Sequence, residues 1–182
     1  MSSPYQIAIQ SLNSLRVSSI GAAADMLWVH FGEFRTVPTR DGLTKEVGEW
    51  ALHLQCPWRF VRNGKIILGS SDFYYQAEDG EPLKRDSNSK SLFSLKAARL
   101  NQYLHSEVVG IVDIHLSGAG AFELRMGSGV VFSVMPVESL EVSDAESWRL
   151  FQPSTDLPHF VYPEDDQQTE HANAGNPRSA GA

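Results

Sequence analysis

Residues 46–69 read EVGEWALHLQCPWRFVRNGKIILG, and their pattern predicts two β-strand segments and a tight turn. Every second residue of the first half is apolar: Trp50, Leu52, Leu54 and Cys56. This period of two is typical of a strand with one buried face. Pro57 then interrupts the strand because it has no backbone N–H to donate. Asn63-Gly64 between two apolar runs predicts a two-residue β-hairpin turn.

A two-residue loop sets the register of this hairpin, so Arg62 should face Lys65, Val61 should face Ile66 and Phe60 should face Ile67. The hairpin end would carry a basic and aromatic tip, which we take as the candidate binding site: Trp58, Arg59, Phe60, Arg62 and Lys65. The alternative is a solvated hairpin end with Trp58 and Phe60 packed underneath. An exposed tip would suit an acidic or aromatic partner.

The composition predicts one globular domain. The chain has 182 residues, of which 42% are apolar and 20% charged. It has no apolar run long enough for a membrane span and no signal-peptide pattern at its start, so we expect a cytoplasmic protein that contacts no membrane. Cys56 is the only cysteine and lies on the apolar side of its strand, which favours a buried, inert thiol.

The net charge of −7 argues against duplex nucleic acid as the main ligand, because phosphate binding needs a concentrated positive surface. An acidic body instead favours a protein partner with a basic surface, such as a toxin or effector. The sequence indicates no metal site and no cofactor, since Walker, Gly-x-Ser-x-Gly, paired-cysteine and paired-histidine motifs are all missing from it.

One helix has a clear signature. Phe93, Ala97, Leu100 and Leu104 recur at helical spacing, with Ser91 or Ser94 as the N-cap. Residues 4–15 fit either a short helix or a first strand. Leu27, Val29 and Phe31 should share one face of a central strand, opposite Met26, Trp28 and His30.

Residues 108–136 predict a three-stranded meander. A three-residue loop at Gly127-Ser128-Gly129 places Leu124 opposite Phe132 and keeps the apolar residues on one face. The same register pairs Asp113 with Arg125 and His115 with Glu123 on the solvent side. These four groups resemble a catalytic constellation. Cross-strand charge pairs on a solvated sheet face are the simpler explanation of them.

The predicted fold is therefore α+β, mostly antiparallel sheet in a meander and hairpins, curved or barrel-like, with one packed helix. We expect a single domain over residues 1–162, a mobile loop over residues 77–91 and a disordered acidic tail over residues 163–182. Trp148 and Phe151 should anchor the end of the domain, with Phe160 and Tyr162 in a last edge strand.

The combination of ALHLQCPWRF with a later strand pair and WRLF resembles small uncharacterised bacterial proteins of the polymorphic-toxin immunity type. Trp58, Arg59 and Trp148 carry this resemblance. It implies a non-enzymatic protein that binds and neutralises or escorts a partner, and it transfers no residue role.

The alternative class is an enzyme or small-molecule binder with a pocket between sheet and helix. The side chains available for such a pocket are some of the following: Asp25, His30, His53, Arg59 and Asp72. A bound metabolite or metal would favour this class, and co-purification with a basic protein would favour the first.

Overall fold

The computed structural model describes residues 3–39, 41–77, 82, 90–107, 110–139 and 146–163. Most of the predicted mobile loop and the whole tail after Pro163 lie outside the described residues. The two ends of the loop segment lie side by side: Ala77 N–H donates to the Lys90 carbonyl at 2.9 Å, and Gln76 bridges to Ser91.

The described residues form two α-helices, a 3-10 helix and twelve strands. The helices are α1 (Pro4–Gln10), the 3-10 helix (Ser70–Tyr74) and α2 (Leu92–Glu107). The strands are β1 (Val17–Ala23), β2 (Met26–Phe31), β3 (Arg35–Pro38), β4 (Thr44–Val47), β5 (Trp50–Leu54), β6 (Trp58–Arg62), β7 (Lys65–Gly69), β8 (Ile111–Leu116), β9 (Phe122–Met126), β10 (Val130–Val134), β11 (Trp148–Phe151) and β12 (Phe160–Tyr162).

Two five-stranded antiparallel sheets form the body. The first sheet has the order β1-β2-β5-β11-β12 and the second has the order β7-β6-β10-β9-β8. The chain passes from one to the other at Pro57, where the missing N–H ends the ladder of β5. The predicted α+β class is confirmed. Neither sheet closes into a barrel in the described part of the chain.

The inner faces of both sheets contribute to one apolar core. Leu52 and Leu54 of the first sheet and Phe60 and Phe132 of the second are completely buried. Phe60 and Phe132 stack with ring centroids 4.2 Å apart. Burying each such ring stabilises the fold by roughly 1.5–3 kcal/mol.

Each helix covers one open side between the two sheets. α2 packs against β1 and β7, and α1 packs against β8, β11 and β12, so edge strands of both sheets are covered. The predicted face of α2 is confirmed as buried, and Ser91 Oγ accepts the Ser94 N–H at 3.2 Å as its cap. Residues 4–10 are helical. No helix among the described residues has the length and apolarity needed to cross a bilayer.

The meander has the predicted register. Leu124 faces Phe132, Asp113 faces Arg125 and His115 faces Glu123. The strand predicted to end the domain is also confirmed, because β12 is the edge strand beside β11.

The hairpin β6–β7 corrects one predicted pair. Arg62 faces Lys65 and Val61 faces Ile66, but Phe60 faces Leu68 because the register shifts between Phe60 and Val61. A β-bulge adds one residue to a strand and thereby returns the next apolar side chain to the core. Leu68 is buried whereas Ile67 is only partly buried, which is the physical reason for the shift.

Candidate functional site

The predicted aromatic tip is largely core. Trp58 is 2% exposed and Phe60 is not exposed at all. Trp58 makes edge contacts with Phe73 and with Phe93 of α2, at centroid distances of 5.8 and 6.1 Å. Both rings are therefore unable to contact a partner, and the alternative of aromatics packed underneath is confirmed.

The basic residues of the tip point to opposite sides of the second sheet. Alternation along β6 directs Arg59 to the outer face, where it is exposed, and Arg62 to the side of α2. Lys65 is exposed opposite Arg62. The structure thus does not bring the five predicted residues together into one contact surface.

A different cluster lies on the outer face of the first sheet. Its members come from four neighbouring strands or their ends, and we call them the histidine face: Trp28, His30, His53, Arg149, Phe151 and His159. Register places Trp28 opposite His53 and His53 opposite Arg149. The alternate residues of these strands, among them Leu27 and Leu52, are buried in the core, so the histidine face is the solvent side of the same sheet.

The rings of the histidine face contact one another in two groups. Trp28 and His30 lie 4.9 Å apart between centroids. Phe151 links the second group, with its centroid 4.9 Å from His53 and 4.4 Å from His159. Strand pairing and the contacts between the rings hold them in position.

Arg149 is the cation at the centre of this surface. Its guanidinium donates to both carboxylate oxygens of Glu146, including Nε to Oε1 at 3.0 Å. Its Nη1 also lies 3.2 Å from Nδ1 of His159. Arginine has no acceptor, so His159 Nδ1 must accept this hydrogen bond and the His159 proton must lie on Nε2.

The histidines of this face are held neutral. Burial, aided by nearby His53 and Lys45, lowers the pKa of His30 from 6.5 to about 4. Burial and the neighbouring Arg149 lower the pKa of both His53 and His159. Three uncharged imidazoles therefore occupy this surface at pH 7.

The β3–β4 ribbon borders the histidine face. It continues the β2–β5 hairpin beyond Phe31 and Trp50. Its base is tight, because a Cβ on Gly48 would lie 2.7 Å from the Phe31 carbonyl oxygen. The nearby charge of Lys45 acts on both His30 and His53, so the ribbon adds a cation close to the imidazoles.

Comparison with known proteins finds no matching family model, curated protein or solved structure. The resemblance to immunity proteins therefore stays a prediction. Of the residues that carry it, Trp58 and Trp148 are buried, and Trp148 Nε1 donates to the Gly120 carbonyl at 2.9 Å. Because they are buried, these two tryptophans contribute to stability and cannot contact a partner.

The residues named for a pocket between sheet and helix lie on different faces of the described structure. His30 and His53 lie on the outer face of the first sheet, and Arg59 lies on the outer face of the second. Asp72 pairs with Lys96 of α2 at 2.9 Å and also accepts the Gly69 N–H. Asp25 lies in the β1–β2 turn.

A separate cleft of about 280 Å³ lies where the two sheets meet. Its walls include Asp25, Cys56, Trp58, Ser70, Ser71, Phe73 and Tyr74. Cys56 is almost fully buried, and burial raises the pKa of its thiol to about 12. The thiol is therefore protonated and unreactive at neutral pH.

The outer face of the second sheet holds paired charges. Arg125 lies 3.6 Å from Asp113 and 3.5 Å from Glu123, whose other oxygen accepts the Ser133 hydroxyl. Across the described residues, no group of three or more histidine, cysteine or acidic side chains could hold a metal ion. Arg125, Asp113, Glu123 and Ser133 therefore have their partners within this sheet.

Sequence reasoning found Trp28 and His30 on one strand face but missed the histidine face as a whole. The sequence contains one repeated signal for this face: each of three strand segments carries an aromatic or imidazole ring at a position that alternates with buried residues. Which strands are neighbours depends on the pairing of β5 with β11, in which Leu54 faces Trp148, and 93 residues lie between these two in the sequence. Local periodicity contains no information on such a pairing.

Proposed function

We propose that this chain is a non-enzymatic protein-binding module and that the histidine face contacts the partner. The observation that carries the proposal is the preformed set of rings around Arg149. Aromatic side chains and arginine are the residues most enriched among the energetic centres of protein interfaces. Rings that are fixed before binding lose little conformational entropy when the complex forms.

The neutral state of the imidazoles supports the same function. Covering a charged imidazolium would require the removal of tightly bound water, whereas a neutral ring costs much less to bury. The lowered pKa values of His30, His53 and His159 make this surface easy to desolvate at pH 7. A sheet face that carries several neutral rings is suited to contact with a protein surface.

The charge of the chain suggests the nature of the partner. The net charge is −7, and Glu46 and Asp156 lie on segments that lead into the histidine face, whereas Glu146 is paired with Arg149. We therefore propose a partner with a basic surface, such as a toxin or effector that the chain neutralises or escorts in the cytoplasm. The carboxylates would speed association and orient the partner, while the rings would supply most of the binding energy.

Catalysis has less support from the site. The Cys56 thiol is buried, with its pKa raised to about 12. His159 Nδ1 accepts a hydrogen bond from Arg149 and so is not free to take a proton. Ser133 donates its hydroxyl to Glu123, but this serine is only 3% exposed, which keeps a substrate from reaching it.

Site-specific photo-crosslinking in cells tests the proposal. A photoreactive amino acid in place of His53 should crosslink to a protein rich in lysine and arginine. The same amino acid in place of His115 is the matched control, because His115 also lies on an outer sheet face but belongs to the second sheet. Crosslinking confined to position 115, or no protein adduct at position 53, would refute the proposed role of the histidine face.

A further inference from the structure

Arg62 is fixed on the α2 side of the second sheet by an aromatic ring. Its guanidinium carbon lies 3.9 Å from the centroid of Tyr103, and the Tyr103 hydroxyl donates to the Ser128 carbonyl at 3.0 Å. The ring is therefore anchored by α2 at one end and by the β9–β10 loop at the other. A guanidinium stacked in this way keeps N–H donors at its edge available for a carboxylate.

Two further cations lie beside this pair. Lys65 is directly opposite Arg62 in the hairpin, and Arg99 precedes Tyr103 by one helical turn on the same side of α2. Both side chains are exposed. We call these four residues the basic ridge: Arg62, Lys65, Arg99 and Tyr103.

The basic ridge lacks acidic partners within the described part of the chain. The ion pairs of the described residues involve Arg16, Arg35, Lys96, Arg125 and Arg149, and none includes Arg62, Lys65 or Arg99. Arg62 and Lys65 face each other directly, which is unfavourable for like charges on neighbouring strands. This repulsion remains in the free protein and would be relieved by an anionic ligand.

We propose that the basic ridge binds an acidic segment of a protein partner. The match is one of charge: in a chain of net charge −7, three cations that form no ion pair among the described residues lie around the Tyr103 ring. Carboxylates can pair bidentately with Arg62 while Lys65 and Arg99 bind their neighbours. A nucleic-acid strand is a poorer match, because it needs a longer positive track and several stacking rings. This surface shares no residue with the histidine face.

Fluorescence anisotropy with labelled peptides tests the basic ridge. The probe is a fluorescein-labelled decaglutamate peptide, compared with a ten-nucleotide thymidine strand of the same label. Decaglutamate should bind more tightly than the oligonucleotide, and added salt should weaken its binding. A tighter complex with the oligonucleotide, or no binding of decaglutamate, would overturn the proposal.

Two charge reversals on one strand provide the matched comparison. Arg62→Glu should weaken decaglutamate binding by about tenfold, and Lys65→Glu should weaken it in the same direction. Arg59→Glu makes the same change on the outer face of β6 and should have little effect. An equal loss for Arg59→Glu and Lys65→Glu would mean that only net charge matters, which contradicts a defined site. Lys65→Glu keeps this comparison valid if Arg62→Glu fails to fold.

Discussion

Trp28 lies directly over Gly21 on the outer face of the first sheet. A Cβ added to Gly21 would come within 2.1 Å of Cζ2 of the indole. The two residues are cross-strand partners, so the missing side chain of one provides the space for the ring of the other. This relationship sets the position of Trp28 beside His30, and with it one half of the histidine face.

Gly21→Val should therefore displace the indole. We expect a loss of about 1–3 kcal/mol in the free energy of unfolding, the usual cost of forcing a side chain into occupied space. Urea denaturation and tryptophan fluorescence measure the two effects. Ala23→Val is the control on the same strand face, at an exposed position. Equal stability of the two variants would contradict the close packing of Trp28 on Gly21.

The lowered pKa of His30 makes stability fall in acid. Its folded pKa is about 4 against 6.5 in the unfolded chain, so the unfolded state binds more protons between these values. The free energy of unfolding should decline as the pH falls from 6.5 to 4, and His53 and His159 act in the same direction. Because His30 is only partly buried, its own contribution is about 1–2 kcal/mol and not the full converted shift.

The measurement is urea denaturation at a series of pH values with His30→Gln. This variant should lose part of the decline below pH 6.5, whereas His115→Gln retains His30 and should keep it. A decline of the same size in both variants would rule out His30 as its source.

Asn101 of α2 should contribute to stability through the backbone of an edge strand. Its side chain accepts the Ile20 N–H and donates to the Ile20 carbonyl, both at 2.8 Å. Asn101→Ala would leave two backbone groups of β1 without these partners, at a cost of about 1–3 kcal/mol. Thermal unfolding against Gln102→Ala, an exposed neighbour, checks this. A loss below that of the control would show that water replaces both hydrogen bonds.

Cys56 should resist alkylation in the folded protein. The thiol is 3% exposed and its pKa is raised to about 12, so little thiolate exists at pH 8. Iodoacetamide labelling followed by mass spectrometry should give little adduct without denaturant and complete adduct in urea. Rapid labelling of the native protein would mean that the cleft beside Cys56 opens and that the Cys56 thiol is reactive.

The sequence predicts those parts of the fold in which burial and local geometry act together. The Gly127-Ser128-Gly129 register follows from keeping Leu124 and Phe132 on one face, and Asn63 and Gly64 both adopt the positive φ that their turn requires. The shift that pairs Phe60 with Leu68 was missed because a bulge has no clear signature in alternating residues. The β3–β4 ribbon was also missed, since its strands are mostly exposed and lack an apolar period.

The candidate site was harder to predict because it depends on distant pairing. Trp58 and Phe60 belong to the predicted binding tip, but both are buried, Trp58 against Phe93 of α2 and Phe60 against Phe132. The half-buried rings of the histidine face instead meet where β2, β5 and β11 lie side by side, a placement that depends on contacts far apart in the chain. The sequence contains the histidine, arginine and aromatic residues of the site, but it does not indicate which of them are neighbours in space.

The most direct test of the histidine face is the affinity of the purified crosslinked partner for variants of this surface. Phe151 touches both His53 and His159, so Phe151→Ala removes the centre of one ring group without opening the core. Isothermal titration calorimetry should give a dissociation constant at least about tenfold weaker for Phe151→Ala than for the wild type, a loss of ~1.4 kcal/mol or more. His115→Ala, on the outer face of the second sheet, should bind like the wild type. Unchanged affinity for a folded Phe151→Ala variant, or a loss only with His115→Ala, would contradict the assignment of binding to the histidine face.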